Sequence, residues 1–346
     1  MKIEAASSEE LRSIARRLVR DLPMLPVCLS ALVQFDADDE HSLERILSVA
    51  RNEPCMALRI FVLANHRYAS EKLTSLRKAV QVLGVDGMDE LTHHHSVAEV
   101  FVPITEEERL LWFHSLHVSS AAKSLAAAFP DLGINPGLAA HCGLIHDLGR
   151  FLRYEHLEKA PKMVETAGYR NPSELLRTER EVFGMSHVEL GSVAAEVTHL
   201  PEPILFSIGF HHTRSENLPT ATREWRALVE VTALADEMAM YCQRHNPKDT
   251  DSFQRRMDRF FKTRAQDLES LYTDPAALHE LMITTLGEAH HRYSLLQLGR
   301  APRLSALLNR TLTQPPARRH LRRRRPRGSS PPWHANHSRA LGTDAA

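Results

Sequence analysis

The stretch GLIHDLGRFLR, residues 143–153, is apolar, has the pattern of a helix end, and carries His146 and Asp147 side by side. An aspartate that is buried without a partner costs several kcal/mol, so Asp147 needs a neighbour that compensates its charge. A hydrogen bond to His146 would order the helix end, whereas a bound metal ion would require further ligands from elsewhere in the chain. The other polar residues of the sequence must decide between these two interpretations.

The composition is that of a soluble globular protein. The chain has 346 residues, of which 43% are hydrophobic and 25% charged, and this length suits one large domain or two smaller ones. The start, MKIEAASSEE, lacks the basic-then-apolar order of a signal peptide, and no apolar run approaches the roughly 20 residues that span a bilayer. Four cysteines are scattered without a CxxC spacing, as in proteins of a reducing compartment. We therefore expect a cytoplasmic protein with no transmembrane segment.

Charge is distributed unevenly along the chain, although the formal net charge is zero. From Arg300 onward there are eleven arginines and one acidic residue, Asp344, so the preceding part is acidic. The run QPPARRHLRRRRPRGSSPPW, 314–333, has too little apolar content for a core, which predicts a disordered tail. Such a cluster is usually solvated, and contact with a nucleic acid or a membrane is the less favoured alternative.

The rest of the chain has helical patterns throughout, without strand-like alternation or hairpin turns. Thr105 and Glu108 have the spacing of a capping box before a long helical pattern. Ser186 and Glu189 have the same spacing around His187, which places this histidine in the first turn of its helix. The sequence therefore predicts an all-α protein with a multi-helical domain.

Breaks between the helical patterns divide the chain into parts. The pattern SLRKAVQVLG, for example, is closed by Gly84 in a C-cap position. We predict four segments: an N-terminal helical part (1–105), a histidine-bearing helical part (106–245), a C-terminal helical section (246–299) and the disordered Arg-rich tail (300–346).

Further histidines and an aspartate lie in apolar or small-residue helical patterns, and they are the candidate partners of the central pair. Imidazole and carboxylate groups together suit a divalent manganese, iron or zinc ion. An adjacent His-Asp pair at a helix end can reach one ion, but a single helix face cannot surround it, so other helices must supply ligands. The candidate metal ligands are His114, His146, Asp147, His187, His211, His212 and Asp236. His212 could instead face solvent with His211 turned inward.

Other histidines lack this setting. His117 lies three residues after His114 on the same helix side, and a supporting or core role is favoured over metal binding. His290 and His291 are predicted at the surface, and His141 in the core.

The order of the candidate ligands is similar to that of a known superfamily. His114, then His146-Asp147, then Asp236 resembles the H…HD…D ligand set of the HD superfamily of metal-dependent phosphohydrolases. His187 and the His211-His212 pair resemble the additional ligands of its two-metal HD-GYP branch.

A narrower resemblance, to HDOD domains, extends over roughly residues 20 to 245. HDOD domains are HD-related output domains of bacterial signalling proteins, and this likeness implies an all-helical regulatory protein that acts on a signalling partner. The motifs that carry it are, in order, LPMLPVCLSALVQF, ILSVARNEPCMALRIFVLANHRY, LTSLRKAVQVLGVDGMDEL, WFHS, GLIHDLGR, TEREVFGMSHVELG and LPEPILFSIGFHH.

Departures from the HD-GYP pattern bear on activity. The Gly-Tyr-Pro element that follows the double histidine in those enzymes is absent, and Arg150 stands where they carry a phosphate-contacting lysine. We therefore expect a regulatory protein that retains a metal-binding pocket. The alternative is a metal-dependent phosphohydrolase of a nucleotide or cyclic dinucleotide, in which Asp147 and Arg150 act on the phosphoester.

Overall fold

Capping side chains begin helices where the sequence predicts them. Thr105 accepts a hydrogen bond from the backbone N–H of Glu108, whose carboxylate accepts the N–H of Thr105, and a 23-residue helix follows this capping box. Ser186 and Glu189 form a second box, and His187 is the first residue of the next helix. Local sequence thus determines where the helices of the candidate site begin.

The computed structural model describes residues 8–22, 24–36, 38–67, 72–93, 102–103, 105–156, 164, 171–264, 268 and 274–301. The described residues belong to one compact unit. They form helices and include no extended strand, which confirms the all-α class. The predicted tail lies outside the described part from residue 302 onward. The helices are α1 (Ser8–Arg20), α2 (Pro26–Val33), α3 (Glu40–Ala50), α4 (Pro54–Arg67), α5 (Leu76–His93), α6 (Glu106–Ala128), α7 (Pro136–Ile145), α8 (Leu148–His156), α9 (Pro172–Phe183), α10 (His187–Val197), α11 (Glu202–Phe210), α12 (Arg223–Arg244), α13 (Thr250–Thr263) and α14 (Pro275–Leu295).

Helix α6 is central to the packing. It contacts α7, α12 and α14, and its apolar residues Trp112, Phe113 and Leu116 are buried. Helix α1 packs against α10, while α11 packs between α10 and α12. The helices that carry the candidate ligands are therefore neighbours in the core. None of the described helices combines the length and the apolar character needed to cross a membrane.

Glycines allow the helices on either side of the His-Asp pair to approach their neighbours closely. A Cβ atom on Gly143, near the end of α7, would lie 2.8 Å from the backbone oxygen of Val118 in α6. A Cβ atom on Gly149, in α8, would lie 1.9 Å from the backbone oxygen of His187 at the start of α10. Because a side chain has no room at either point, only glycine permits these crossings. They hold the α7–α8 link against both α6 and α10.

Gly84 divides α5 into two helical segments. Its φ of 58° and ψ of −159° are not helical, and the chain resumes a helix directly after it. The helix end expected at Gly84 is therefore present, but it is a kink between two short helices rather than the end of the helical region.

Helix α14 closes over α6. Its Arg292 donates a hydrogen bond to Asn52 Oδ1 at 2.7 Å, in the α3–α4 link, and another to Ser120 Oγ in α6 at 2.8 Å. His290 is half-buried, with its ring centroid 4.5 Å from that of Phe113. The prediction of a surface position is therefore wrong for His290, because α14 lays it on the apolar side of α6.

The remaining minor histidines are near their expected places. His117 is fully buried, and its Nε2 lies 3.4 Å from Thr285 Oγ1 of α14, which agrees with a core role. His141 is half-buried and meets the ring of Phe61 edge-on. His291 is exposed, as expected.

Candidate metal centre

The seven candidate ligands converge from five helices and their ends. The pair His146-Asp147 forms the link between α7 and α8, and His187 opens α10 behind its Ser186 cap. Every one of these side chains is at least nine-tenths buried. The structure brings together the whole set named from the sequence, which is His114, His146, Asp147, His187, His211, His212 and Asp236.

The ligand atoms form two groups. In one group, single atoms of Asp147, His187, His211 and His212 all lie within 4.8 Å of one another. A second group with the same limit consists of His114, His146 and Asp236. Each group has the mixture of imidazole and carboxylate that divalent manganese, iron and zinc accept.

Asp147 lies between the two groups. Its Oδ1 is 3.3 Å from His187 Nε2 and 3.9 Å from His211 Nε2, which belong to the first group. Its Oδ2 is 3.8 Å from His114 Nε2 and 3.6 Å from His146 Nε2, which belong to the second. One carboxylate thus offers a separate oxygen to each group.

Asp236 joins the same site from α12. Its Oδ1 lies 3.2 Å from His114 Nε2, the nitrogen that also faces Asp147, and its Oδ2 lies 3.7 Å from His212 Nδ1. The two carboxylates therefore approach the same histidine from different helices. His212 is buried together with His211, so the alternative of a solvent-facing His212 does not hold.

Three histidines are oriented in the same way, because in each one the ring nitrogen that points away from the centre, Nδ1, faces an acceptor oxygen. Nδ1 of His146 is 2.8 Å from the carbonyl oxygen of Gly143, and Nδ1 of His211 is 3.0 Å from that of Ile208. Nδ1 of His187 is 2.7 Å from a carboxylate oxygen of Glu179. Because these oxygens are acceptors, each Nδ1 carries the proton. A neutral imidazole then presents the lone pair of Nε2 to the centre, as a metal ligand does.

Unpaired nitrogens lie inside the centre. Among the described residues, His187 Nε2, His211 Nε2 and His212 Nδ1 have no hydrogen-bond partner although they are buried. The distance of 3.6 Å from His146 Nε2 to Asp147 Oδ2 is too long for a hydrogen bond between these two residues, which was the alternative to a bound metal ion. Unpaired buried nitrogens opposite a carboxylate fit a bound cation, which satisfies both kinds of group at once.

Burial keeps His211 and His212 neutral, and the surrounding charges keep Asp147 ionised. Burial lowers the pKa of His211 to about 3 and that of His212 well below its ordinary value. Burial alone would raise the pKa of Asp147, but the imidazole of His146 and the guanidinium of Arg150 hold it well below its usual range. Neutral imidazole and ionised carboxylate are the protonation states that bind metal ions.

Arg150 lines the pocket that leads to the centre. Its Nη1 donates a hydrogen bond to Asp147 Oδ2 at 3.1 Å, and the side chain is 17% exposed. The pocket is also lined by Asp236 and His212, and by Arg244 at the end of α12. A ligand that enters it would therefore meet guanidinium groups and the candidate metal ligands together.

Two residues of the site were not anticipated from the sequence. Glu179 of α9 contacts His187, but it lies on another helix, and no periodicity connects the two. Gln243 of α12 places its side-chain amide 3.0 Å from Nδ1 of His114. Gln243 follows Asp236 by two helical turns on one face, so this spacing could have revealed it.

Comparison with known proteins gives a family and a fold. A family model described as the HDOD domain matches residues 22–214. A curated relative, an uncharacterized protein of Treponema pallidum (strain Nichols), is 26% identical over 282 residues, 79% of this chain and 53% of that protein. The chain therefore spans about half the length of this relative.

Two solved structures resemble the chain in fold. A virulence factor from Campylobacter jejuni subsp. jejuni has a TM-score of 0.59 at 14% identity, with 83% of this chain and 98% of that one covered. The MmoQ response regulator from Methylococcus capsulatus str. Bath has a TM-score of 0.52 at 16% identity, with 64% and 87% covered. At such low identities the likeness concerns the fold alone.

Proposed function

The chain belongs to the HDOD domain family, and on that premise we propose that it is a regulatory protein of bacterial signal transduction that holds a divalent metal in the His/Asp centre. It acts through contact with a signalling protein. The observation that carries the metal part is the arrangement of His146, His187 and His211, whose outer nitrogens are bonded to acceptors while Nε2 turns inward.

The regulatory part is supported by the family and by the departures from HD-GYP enzymes. The Gly-Tyr-Pro element is absent after His212, and Arg150 replaces the phosphate-contacting lysine of those enzymes. MmoQ, which has a similar fold, is described as a response regulator. Since a fold hosts many functions, this likeness supports the regulatory role only together with the family and the sequence departures.

Metal analysis tests the centre directly. The protein would be purified without a histidine tag or chelators, and its manganese, iron and zinc measured by mass spectrometry. We expect stoichiometric metal in the wild type and none in Asp147→Ala, because Asp147 faces both ligand groups. Asp258→Ala, which removes an exposed aspartate of α13, is the matched control and should retain the metal. Wild-type protein that remains metal-free after incubation with each of the three ions would contradict the proposal.

A metal-dependent phosphohydrolase is the second candidate, and the position of Arg150 favours it. Arg150 lies on the pocket wall and contacts Asp147, so it would neutralise the charge of a phosphoester placed against the ligand groups. A bound divalent ion would lower the pKa of a water and polarise the phosphoryl oxygen. In this function Asp147 and Arg150 act on the substrate, which is a nucleotide or a cyclic dinucleotide.

A hydrolysis screen separates the two functions. Metal-loaded protein would be incubated with cyclic dinucleotides and with p-nitrophenyl phosphoesters. Our proposal predicts that the metal is retained and that neither class is cleaved. Cleavage that disappears in both Asp147→Ala and Arg150→Ala would instead establish the phosphohydrolase.

A further inference from the structure

We infer that Glu179 is the positioning residue of the metal centre: it holds the proton on Nδ1 of His187 and thereby makes Nε2 the metal-binding atom. Glu179 is not one of the ligands and does not face the pocket. The inference concerns how one ligand is prepared, and it rests on the proposed metal function.

The contacts of Glu179 fix both the backbone and the ring of His187. Glu179 is 97% buried in α9, and its Oε2 accepts two hydrogen bonds. One comes from the backbone N–H of His187 at 2.7 Å, and the other from ring Nδ1 at 2.7 Å. Because one oxygen holds two points of the same residue, the ring has little freedom to rotate or to exchange its nitrogens.

The carboxylate of Glu179 is itself held in place. Nη1 of Arg153 forms a buried ion pair with Glu179 Oε1 at 3.3 Å. The same arginine donates a hydrogen bond to the carbonyl oxygen of Met185, and its guanidinium lies 4.6 Å from the ring centroid of Phe183. Arg153 belongs to α8, the helix that follows Asp147. The residue that supports Glu179 therefore lies on the helix that begins directly after Asp147.

His187 lies between two carboxylates as a result. Glu179 occupies the Nδ1 side, and Asp147 Oδ1 lies 3.3 Å from Nε2 on the other side. A neutral imidazole has a single N–H, and the contact with Glu179 assigns it to Nδ1. The lone pair of Nε2 then faces a carboxylate oxygen, and a cation between them satisfies both. Carboxylate support of this kind strengthens a histidine as a metal ligand, whereas the Nδ1 atoms of His146 and His211 face carbonyl oxygens.

The test compares two isosteric substitutions near the start of α10. Glu179→Gln removes the charge that faces Nδ1. Glu189→Gln is the matched control, because Glu189 caps the same helix start and, within the described part of the chain, its carboxylate bonds to Ser186 and Arg180 rather than to a candidate ligand. Zinc affinity would be measured for the metal-free form of each protein by competition with a chromophoric chelator. We expect Glu179→Gln to bind zinc about 10–100-fold more weakly than the wild type, and Glu189→Gln to bind it equally well.

A second measurement reads the ring itself and requires no variant. The ¹⁵N chemical shifts of the His187 imidazole in the zinc-loaded wild type should show a protonated Nδ1 and a metal-bound Nε2. Equal zinc affinity of Glu179→Gln and wild type would overturn the inference, as would an equal loss in Glu189→Gln or a zinc ion on Nδ1. If the wild type binds no zinc, manganese or iron, the proposed function fails, and the ¹⁵N shifts of the metal-free protein still decide the role of Glu179. A protonated Nδ1 then supports that role, and an unprotonated Nδ1 overturns it.

Discussion

Replacing Gly149 by alanine should separate the two helices that bring Asp147 and His187 together. The new Cβ would lie 1.9 Å from the backbone oxygen of His187 and 2.7 Å from its carbonyl carbon. Both are backbone atoms, so no change of side-chain rotamer can relieve the contact. Since ordinary van der Waals contact begins at 3.4 Å, α8 and α10 must move apart by about 1.5 Å in a core that is already close-packed.

This displacement is large on the scale of metal coordination. Metal–ligand distances are held to within about 0.2 Å, so a shift of about 1.5 Å between Asp147 and His187 removes at least one of them from a shared ion. Overpacking of a core costs about 1–3 kcal/mol, which a protein of ordinary stability survives. We therefore expect Gly149→Ala to remain folded, to lose stability of this order and to lose the metal.

The assay measures metal content and urea unfolding on the same preparation, with circular dichroism to check helicity. Gly137→Ala in α7 is the control, because its Cβ would meet only the side-chain oxygen of Asn135, at 3.1 Å. This variant should keep both the metal and the stability of the wild type. If Gly149→Ala retains the zinc affinity and the unfolding midpoint of the wild type, the close crossing of α8 and α10 does not set the geometry of the site.

Three further predictions address other parts of the chain. In the metal-free protein, burial lowers the pKa of both His117 and His211 to about 3, so the unfolded state binds more protons below pH 6.5. The free energy of unfolding should therefore fall as the pH is lowered from 6.5 towards 3, and a flat profile in urea denaturation would contradict these shifts. Arg292→Met should lower the free energy of unfolding by about 1.5–3 kcal/mol, because hydrogen bonds from a charged group to Asn52 and Ser120 are lost. An unchanged denaturation midpoint would mean that these hydrogen bonds do not stabilise the fold. Removal of the Arg-rich segment after residue 301 should shift the thermal midpoint by no more than about 1–2 °C, since such a composition cannot form a core, and a drop of several degrees in calorimetry would mean that the tail docks on the acidic body.

Local rules predicted the parts of the fold that depend on neighbouring residues. The capping residues Thr105 and Ser186 begin helices as expected, because a capping box is complete within four residues. Gly84 was placed correctly, but local sequence does not show that the chain resumes a helix after it. His290 was misplaced for a related reason, since its burial depends on Phe113 from a distant helix.

The candidate ligands could be named from the sequence because their order and residue types form a known pattern. The contact of Glu179 with His187 could not be predicted, because it is tertiary, whereas the spacing of Gln243 from Asp236 could have revealed Gln243. Glu179 meets His187 only after α9 folds back beside α10, and because α9 ends at Phe183 and α10 begins at His187, no spacing within one helix relates the two residues. The inward orientation of His212 likewise depends on Asp236, which lies on another helix.

The closure of α14 over α6 has a consequence for synthesis on the ribosome. Arg292 reaches Asn52 across 240 positions of the chain, and α14 lies beyond the residues 22–214 that match the family. Loops of this length are closed late, because their entropy must be overcome before the contact contributes. Every candidate ligand, including Asp236, has therefore been synthesised before the helix that covers α6 emerges from the ribosome. During that interval the apolar side of α6 around Phe113 remains uncovered, and transiently exposed apolar surface of this kind is prone to aggregation.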